Sequence, residues 1–201
     1  MVREGRRARV ELPTGQWVLD LDAVPVLGEH NLDNAATAAA LALALGADPA
    51  GVQAGLAHLK ALAHRMEPVA EHDGVLWVND SKATNLDAAQ VGIGGMPRPA
   101  VVLLGGRAKD GTDYGALAPL LGRHRAVLCF GEAGPLMAEQ LGAHGVVTET
   151  LPTMDDAVDR ARGLAAPGDA VLLSPGGSSF DAYDNFEKRG EHFAALARET
   201  P

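Results

Sequence analysis

Ala100-Val101-Val102-Leu103-Leu104 before Gly105-Gly106, Ala126-Val127-Leu128-Cys129-Phe130 before Gly131, and Ala170-Val171-Leu172-Leu173-Ser174 before Pro175-Gly176-Gly177 are three short apolar runs, each closed by glycine. Runs of this length, apolar on every residue and rich in valine and leucine, are strands buried on both faces. Helical patterns separate them: residues 85–92, 114–121, 135–141, 154–165 and 185–198. Two more short strands are expected at 75–78 and 146–149. The alternation predicts a Rossmann-like α/β domain, a mainly parallel sheet with helices on both faces. In such sheets ligands gather at the carboxyl ends of the strands. The Gly-rich and charged clusters of this sequence fall at those ends.

Upstream, residues 6–12 and 16–21 flank Pro13-Thr14-Gly15 and read as a β-hairpin. Residues 31–45 are almost all Ala and Leu, a strong helix former stopped by Gly46. Asp48-Pro49 opens a second helix, as N-cap and first helical residue, that runs to about Lys60. The first helix is apolar nearly all round and is expected to be buried on several sides. One hairpin and two helices leave it without a covering sheet, so slow hydrogen exchange is not expected there. A domain boundary is placed near residues 61–67. The stretch Gly92-Ile93-Gly94-Gly95, ahead of Met96-Pro97, reads as a loop.

The 201 residues are 47% hydrophobic and 21% charged, a globular composition, and 17 basic against 26 acidic residues give a net charge of −9. That charge argues against nucleic acid or an anionic membrane as a partner. No apolar stretch approaches bilayer length and no export signal opens the chain, so it reads as cytoplasmic. Cys129 is the single cysteine; it excludes a disulfide framework and reads as an inert buried thiol. Trp17 and Trp77 read as core residues. Neither a Gly-x-x-x-x-Gly-Lys-Ser/Thr loop, nor a Gly-x-Gly-x-x-Gly after a strand, nor a Gly-x-Ser-x-Gly elbow, nor a metal motif is present.

Five clusters carry the chemistry that remains. Asn31 and Asn34 stand three apart at a helix start, able to meet adenine edges or phosphate, unless Asn31 is only a cap. Arg65, after His64 at the boundary, suits a phosphate clamp or an inter-domain ion pair. Asn79-Asp80-Ser81-Lys82-Ala83-Thr84-Asn85 is the densest polar run. An acid and a lysine at a strand's carboxyl end suit ribose and phosphate, although turn chemistry alone also uses such residues. Gly105-Gly106-Arg107-Ala108-Lys109 lets backbone approach an anion, with Arg107 or Lys109 to neutralise a carboxylate. Ser174-Pro175-Gly176-Gly177-Ser178-Ser179 forms a similar nest; for both glycine clusters a plain strand-to-helix turn is the alternative.

In order, Gly28-Glu29-His30-Asn31 with Asn34, His64-Arg65, residues 79–85, Ser174-Pro175 with Ser179-Phe180-Asp181, and Asn185-Phe186-Glu187-Lys188-Arg189-Gly190 resemble the successive signatures of the Mur ligases, in the branch that adds D-glutamate. The resemblance implies a cytoplasmic, ATP-dependent ligase of peptidoglycan precursor synthesis, monomeric at full length. It would join D-glutamate to UDP-MurNAc-L-Ala through an acyl phosphate, with ATP and Mg²⁺. It implies nucleotide contacts at Asn31, Asn34, Arg65 and Asp80, and a catalytic role for Lys82 at the acyl phosphate. Thr84, Lys109, Ser179 and Phe180 would hold D-glutamate. Gly176-Gly177, where the family more often has Ala-Cys, is expected to loosen that turn. By the same resemblance residues 1–63 are the tail of the central ATP-binding domain and 64–201 the C-terminal domain. The phosphate loop and metal ligands would then lie upstream of Met1, and no residue is assigned to metal. Two other readings remain: a non-catalytic module for D-glutamate or adenine nucleotide, and a folylpolyglutamate-synthase-like ligase, against which residues 79–85 argue.

Overall fold

The computed structural model describes residues 1–199, in two compact units, Met1–Ala61 and Leu62 onward. The first unit holds three antiparallel strands, β1 (Val2–Glu4), β2 (Arg7–Leu12) and β3 (Gly15–Asp20), then helices α1 (Glu29–Ala44) and α2 (Pro49–Leu56). The hairpin pairs Arg7 with Asp20 through Leu12 with Gly15. Asp48 caps α2 by accepting the Gly51 N–H, and Gly46 leaves α1 at φ +89°; both follow from the local residues.

Three expectations are corrected in this unit. Helix α1 starts at Glu29 with Gly28, not Asn31, at the cap position. Its burial is a single stripe, Leu32, Ala35, Ala36, Ala39 and Leu43, while Leu41 and Leu45 are exposed. The helix also does not lack a sheet: Ala8, Val10, Leu19 and Leu21 join that stripe and Leu56 of α2 in one core. Alternate residues of a twisted hairpin, spaced by two, are enough to line a small-residue helix face. Protection of α1 amides is therefore expected at the buried stripe.

The second unit is the mixed α/β domain that the glycine-closed runs predict. Its strands are β4 (Glu67–His72), β5 (Val75–Asn79), β6 (Ala100–Gly105), β7 (Ala126–Phe130), β8 (Glu149–Leu151) and β9 (Ala170–Gly176). They form one sheet in the order β4-β5-β9-β6-β7-β8, parallel except for the antiparallel edge strand β4. The helices are α3 (Leu86–Gly94), α4 (Ala118–Leu121, entered through a 3₁₀ turn at Tyr114–Leu117), α5 (Gly134–Ala143), α6 (Met154–Leu164) and α7 (Phe186–Arg198). Val75, Trp77, Val101, Leu103, Leu128, Phe130, Val171 and Leu173 pack against α6 and α7. Helices α3 and α5 pack against β9 and β7.

Differences here are local. Strand β4 carries Pro68 and a half-polar pattern, so only its pairing with β5 makes it a strand. The short strand β8 sits at Glu149–Leu151, three residues beyond the expected start, and leaves Val147 90% exposed. Gly92-Ile93-Gly94 is not a loop but the end of α3, where Gly92 packs against the site described below.

Candidate functional site

The carboxyl ends of β5, β6 and β9 are adjacent, and their following segments are bonded to one another. Asp80 leaves β5 with its N–H on Leu173 O of β9, at 2.8 Å. Gly176 N–H reaches back to Ala83 O at 2.9 Å. Arg107 and Ser178 exchange backbone hydrogen bonds at 2.8 and 2.9 Å, which sets the chain around Lys109 beside the chain around Ser179.

Asp80 is 5% exposed. Its Oδ2 accepts from Ser174 Oγ at 2.9 Å, and its Oδ1 accepts from Met66 N–H at 3.2 Å. The turn that delivers that N–H has left-handed backbone at His64 (φ 62°) and Met66 (φ 45°). Burial pushes the Asp80 carboxyl up to about 7, against the two hydrogen bonds and the nearby Arg65 charge, which favour ionisation. Gly92 of α3 lies against this group: a Cβ there would stand 2.4 Å from Asp80 Oδ2 and 2.9 Å from Ser174 Oγ. This contact is why glycine stands at that position of the helix. Gly92→Ala is expected to destabilise this unit by about 1–3 kcal/mol, as overpacking does, despite the better helix propensity of alanine. Urea denaturation checks it, and an unchanged midpoint would contradict the close packing.

Arg189 of α7 holds the cluster from beneath. It is fully buried and donates Nε to Ser81 Oγ (2.9 Å), Nη2 to Ser81 O (2.8 Å) and Nη1 to Gly177 O (3.1 Å). No carboxylate touches it among the described residues, and burial lowers its pKa to about 10. Ser81 Oγ in turn donates to Phe186 O at 2.9 Å. Asn79 is also buried; its amide nitrogen meets His64 Nδ1 at 3.0 Å and donates to Gly190 O at 3.1 Å, while its Oδ1 accepts from Ser81 N–H at 3.1 Å. With the amide donating, His64 Nδ1 is the acceptor.

Above this base lie the exposed groups. Lys82 is exposed, its Nζ 4.8 Å over the Phe186 ring. Thr84 is half-buried and Lys109 exposed, without a side-chain hydrogen bond or ion pair to any described residue. Ser179 is 2% exposed, whereas Phe180 beside it is 63% exposed. Arg107 is committed to Glu132, in an ion pair at 3.0 Å, so of the two cations weighed for a carboxylate only Lys109 is uncommitted. The Gly176-Gly177 turn is tight and not loose: a Cβ on Gly177 would fall 2.6 Å from Gly105 O. Asn31 and Asn34 lie in the first unit. Asn31 is half-buried and donates its amide to Leu27 O at 2.7 Å, and Asn34 is exposed.

The individual roles of Ser174, Arg189, Asn79 and Phe186 emerge only in the folded chain. Arg189 carried a readable signal: it stands on the stripe Phe186, Arg189, Phe193, Ala197 of α7, where an arginine in an apolar row marks a buried charge. Ser174 stands in the nest the sequence points to, but its bond to Asp80, 94 residues away, has no local signal. The described residues contain no group of three or more His, Cys, Asp or Glu placed to hold a metal ion. Nor is any helix among them long and apolar enough to cross a membrane.

Comparison with known proteins places this arrangement. Residues 64–177, more than half of the chain, match the family model "Mur ligase, glutamate ligase domain". The UDP-N-acetylmuramoylalanine–D-glutamate ligase of Rubrobacter xylanophilus is 45% identical over 98% of this chain, and that of Synechococcus elongatus 41% identical over 90%. The chain spans only 44% and 42% of those two relatives. Among solved structures, MurF from Acinetobacter baumannii superposes with TM-score 0.69 at 21% identity, covering 96% of this chain and 42% of that one. A folylpolyglutamate/dihydrofolate synthase from Yersinia pestis gives 0.63 at 25% identity, covering 92% and 43%. Both likenesses bear on the fold, and with a family model over residues 64–177 and relatives 41–45% identical over nearly all its length, the chain belongs to the Mur ligase family.

Proposed function

We propose that this chain supplies the D-glutamate pocket and part of the nucleotide site of an ATP-dependent, cytoplasmic ligase that joins D-glutamate to UDP-MurNAc-L-Ala. The observation that carries the reading is the loop of residues 79–85. It is clamped from below by Arg189 and presents Lys82 and Thr84 beside a glycine nest. Support also comes from relatives 41–45% identical to it that are named as UDP-N-acetylmuramoylalanine–D-glutamate ligases.

In this reading the acceptor's carboxylate oxygen attacks the γ-phosphorus of ATP, ADP leaves, and an acyl phosphate forms. The amine of D-glutamate then attacks the acyl carbon, its proton passes to water, and phosphate leaves with the acyl–oxygen bond pair. Lys82 stabilises charge developing at the acyl phosphate, a task that fixed cations and donors perform by preorganisation. Lys109 and Thr84 pair with the carboxylates of D-glutamate, with Ser179 and Phe180 shaping the pocket. Arg65 is read as meeting phosphate, while Asp80, 5% exposed with both oxygens bonded inside the fold, supports the loop from within. Mg²⁺ does not fit any acidic cluster among the described residues, and no step is assigned to it here. The sequence also has no phosphate-loop motif.

The test is a D-glutamate titration of the chain followed by amide shifts. Shifts are expected at residues 82–84, 109 and 179–180. Lys109→Ala should weaken binding by roughly tenfold or more, the worth of a charged hydrogen bond. No response at those amides would sink the pocket assignment. Given ATP, D-glutamate and UDP-MurNAc-L-Ala, the chain alone is expected to release no phosphate. Binding without turnover is also what a non-catalytic module would give. The two readings part on Lys82→Ala in an active full-length ligase, where a loss of about 10²-fold or more in kcat supports catalysis.

A further inference from the structure

Tyr183, His192 and Asp155 form a hydrogen-bonded chain beside, but outside, the site above. Tyr183 Oη lies 2.8 Å from His192 Nδ1, and His192 Nε2 lies 3.4 Å from Asp155 Oδ1. The rings of Tyr183 and His192 also meet, tilted, with centroids 5.8 Å apart. His192 Nε2 faces the Asp155 carboxylate, which favours the tautomer with its proton on Nε2 and leaves Nδ1 to accept from the Tyr183 hydroxyl. Asp155 and His192 are 54% and 37% exposed, so their contact is a solvated one of small weight. The Tyr183–His192 bond is the part that anchors.

What it anchors is the segment bearing Ser179 and Phe180. Ser179 O accepts the N–H groups of Tyr183 (2.8 Å) and Ala182 (3.2 Å), a single turn that couples Tyr183 to Ser179 directly. Midway, Asp181 Oδ2 accepts Glu132 N–H at 3.3 Å, with Gly131 leaving room for it. The segment is thus pinned at Asp181 and at Tyr183, and between the buried Ser179 and these pins Phe180 is displayed to solvent.

We infer that Tyr183 and His192 are positioning residues: their hydrogen bond holds the Ser179–Phe180 wall at the geometry that binds the amino-acid substrate. This rests on the pocket assignment made above for Ser179 and Phe180.

The experiment compares wild type, Tyr183→Phe, His192→Ala and His192→Asn in the whole chain. Asn Oδ1 replaces Nδ1 as the acceptor, so His192→Asn is the rescue variant. Amide exchange at Ala182 and Tyr183 is expected to quicken about tenfold in Tyr183→Phe and His192→Ala, and to return to within about twofold in His192→Asn. D-glutamate affinity should fall three- to tenfold in the first two variants and recover in the third, with urea midpoints of all four kept for comparison. Unchanged exchange in Tyr183→Phe overturns the anchor. Faster exchange with unchanged affinity overturns its service to the pocket. A wild-type chain that ignores D-glutamate while its variants exchange faster overturns the pocket assignment and leaves the anchor standing.

Discussion

Arg189→Met is expected to destabilise the second unit by about 3 kcal/mol, enough to be a large fraction of the stability of a domain this size. The estimate balances two effects. Burying the guanidinium is costly, as its pKa of about 10 against an ordinary 12.5 records, and methionine is relieved of that cost, worth roughly 3 kcal/mol. Against this, three charged hydrogen bonds to Ser81 Oγ, Ser81 O and Gly177 O are lost. Such bonds contribute about 1.5–3 kcal/mol each, and the acceptors are left buried without a partner. The loss outweighs the relief. Arg189→Lys keeps the charge but not the planar fork, so it should fall between the two. Urea denaturation followed through Trp77, with Trp17 replaced by Phe so that only this unit reports, measures it. A midpoint for Arg189→Met equal to wild type would overturn the clamp.

Asp80→Asn is expected to stabilise the same unit, and by an amount that depends on pH. The folded carboxyl titrates near 7, above its ordinary 3.8, so the folded state holds the proton more tightly than the unfolded chain. The contribution of Asp80 is therefore fully present below about pH 4 and is lost as pH rises through 7. Roughly three pH units of difference correspond to about 4 kcal/mol. The amide is isosteric: its oxygen accepts from Met66 N–H and its NH₂ donates to Ser174 Oγ. The stability difference between Asp80→Asn and wild type should be small at pH 4 and grow to about 3–4 kcal/mol at pH 8. Asp169 and Glu191, which Arg125 and Lys188 hold below their ordinary range, give the opposite slope but cancel in the difference. Arg189 stays charged throughout this window. A difference independent of pH would sink the account of Asp80 as a desolvated acid.

Both residues show how far local sequence reaches. The central strands were readable because a strand buried on both faces needs an unbroken apolar run, and a glycine must follow where chains crowd at its end. The cap Asp48 was readable too, since it acts on a backbone N–H three residues away. Strand β4 was not, because its polar residues and Pro68 are tolerated only on an edge. The cover over α1 was missed for a related reason. The hairpin's inward residues Ala8, Val10, Leu19 and Leu21 declare their partner only once the chain turns back on itself.

The candidate site divides in the same way. Which loops carry the polar and glycine-rich residues follows from order along the chain, and so does the resemblance to the Mur ligases. What each residue does there depends on distance in space. Arg107 and Lys109 look equivalent in sequence, but Glu132 across the next strand neutralises one and not the other. Asp80 looks like an ordinary acid until Ser174, Met66 and Gly92 close around it. Strand periodicity and turn chemistry are properties of neighbours in the chain, and they determined the sheet and its loops. Burial, charge pairing and close approach are properties of residues far apart in sequence, and only the folded chain decided them.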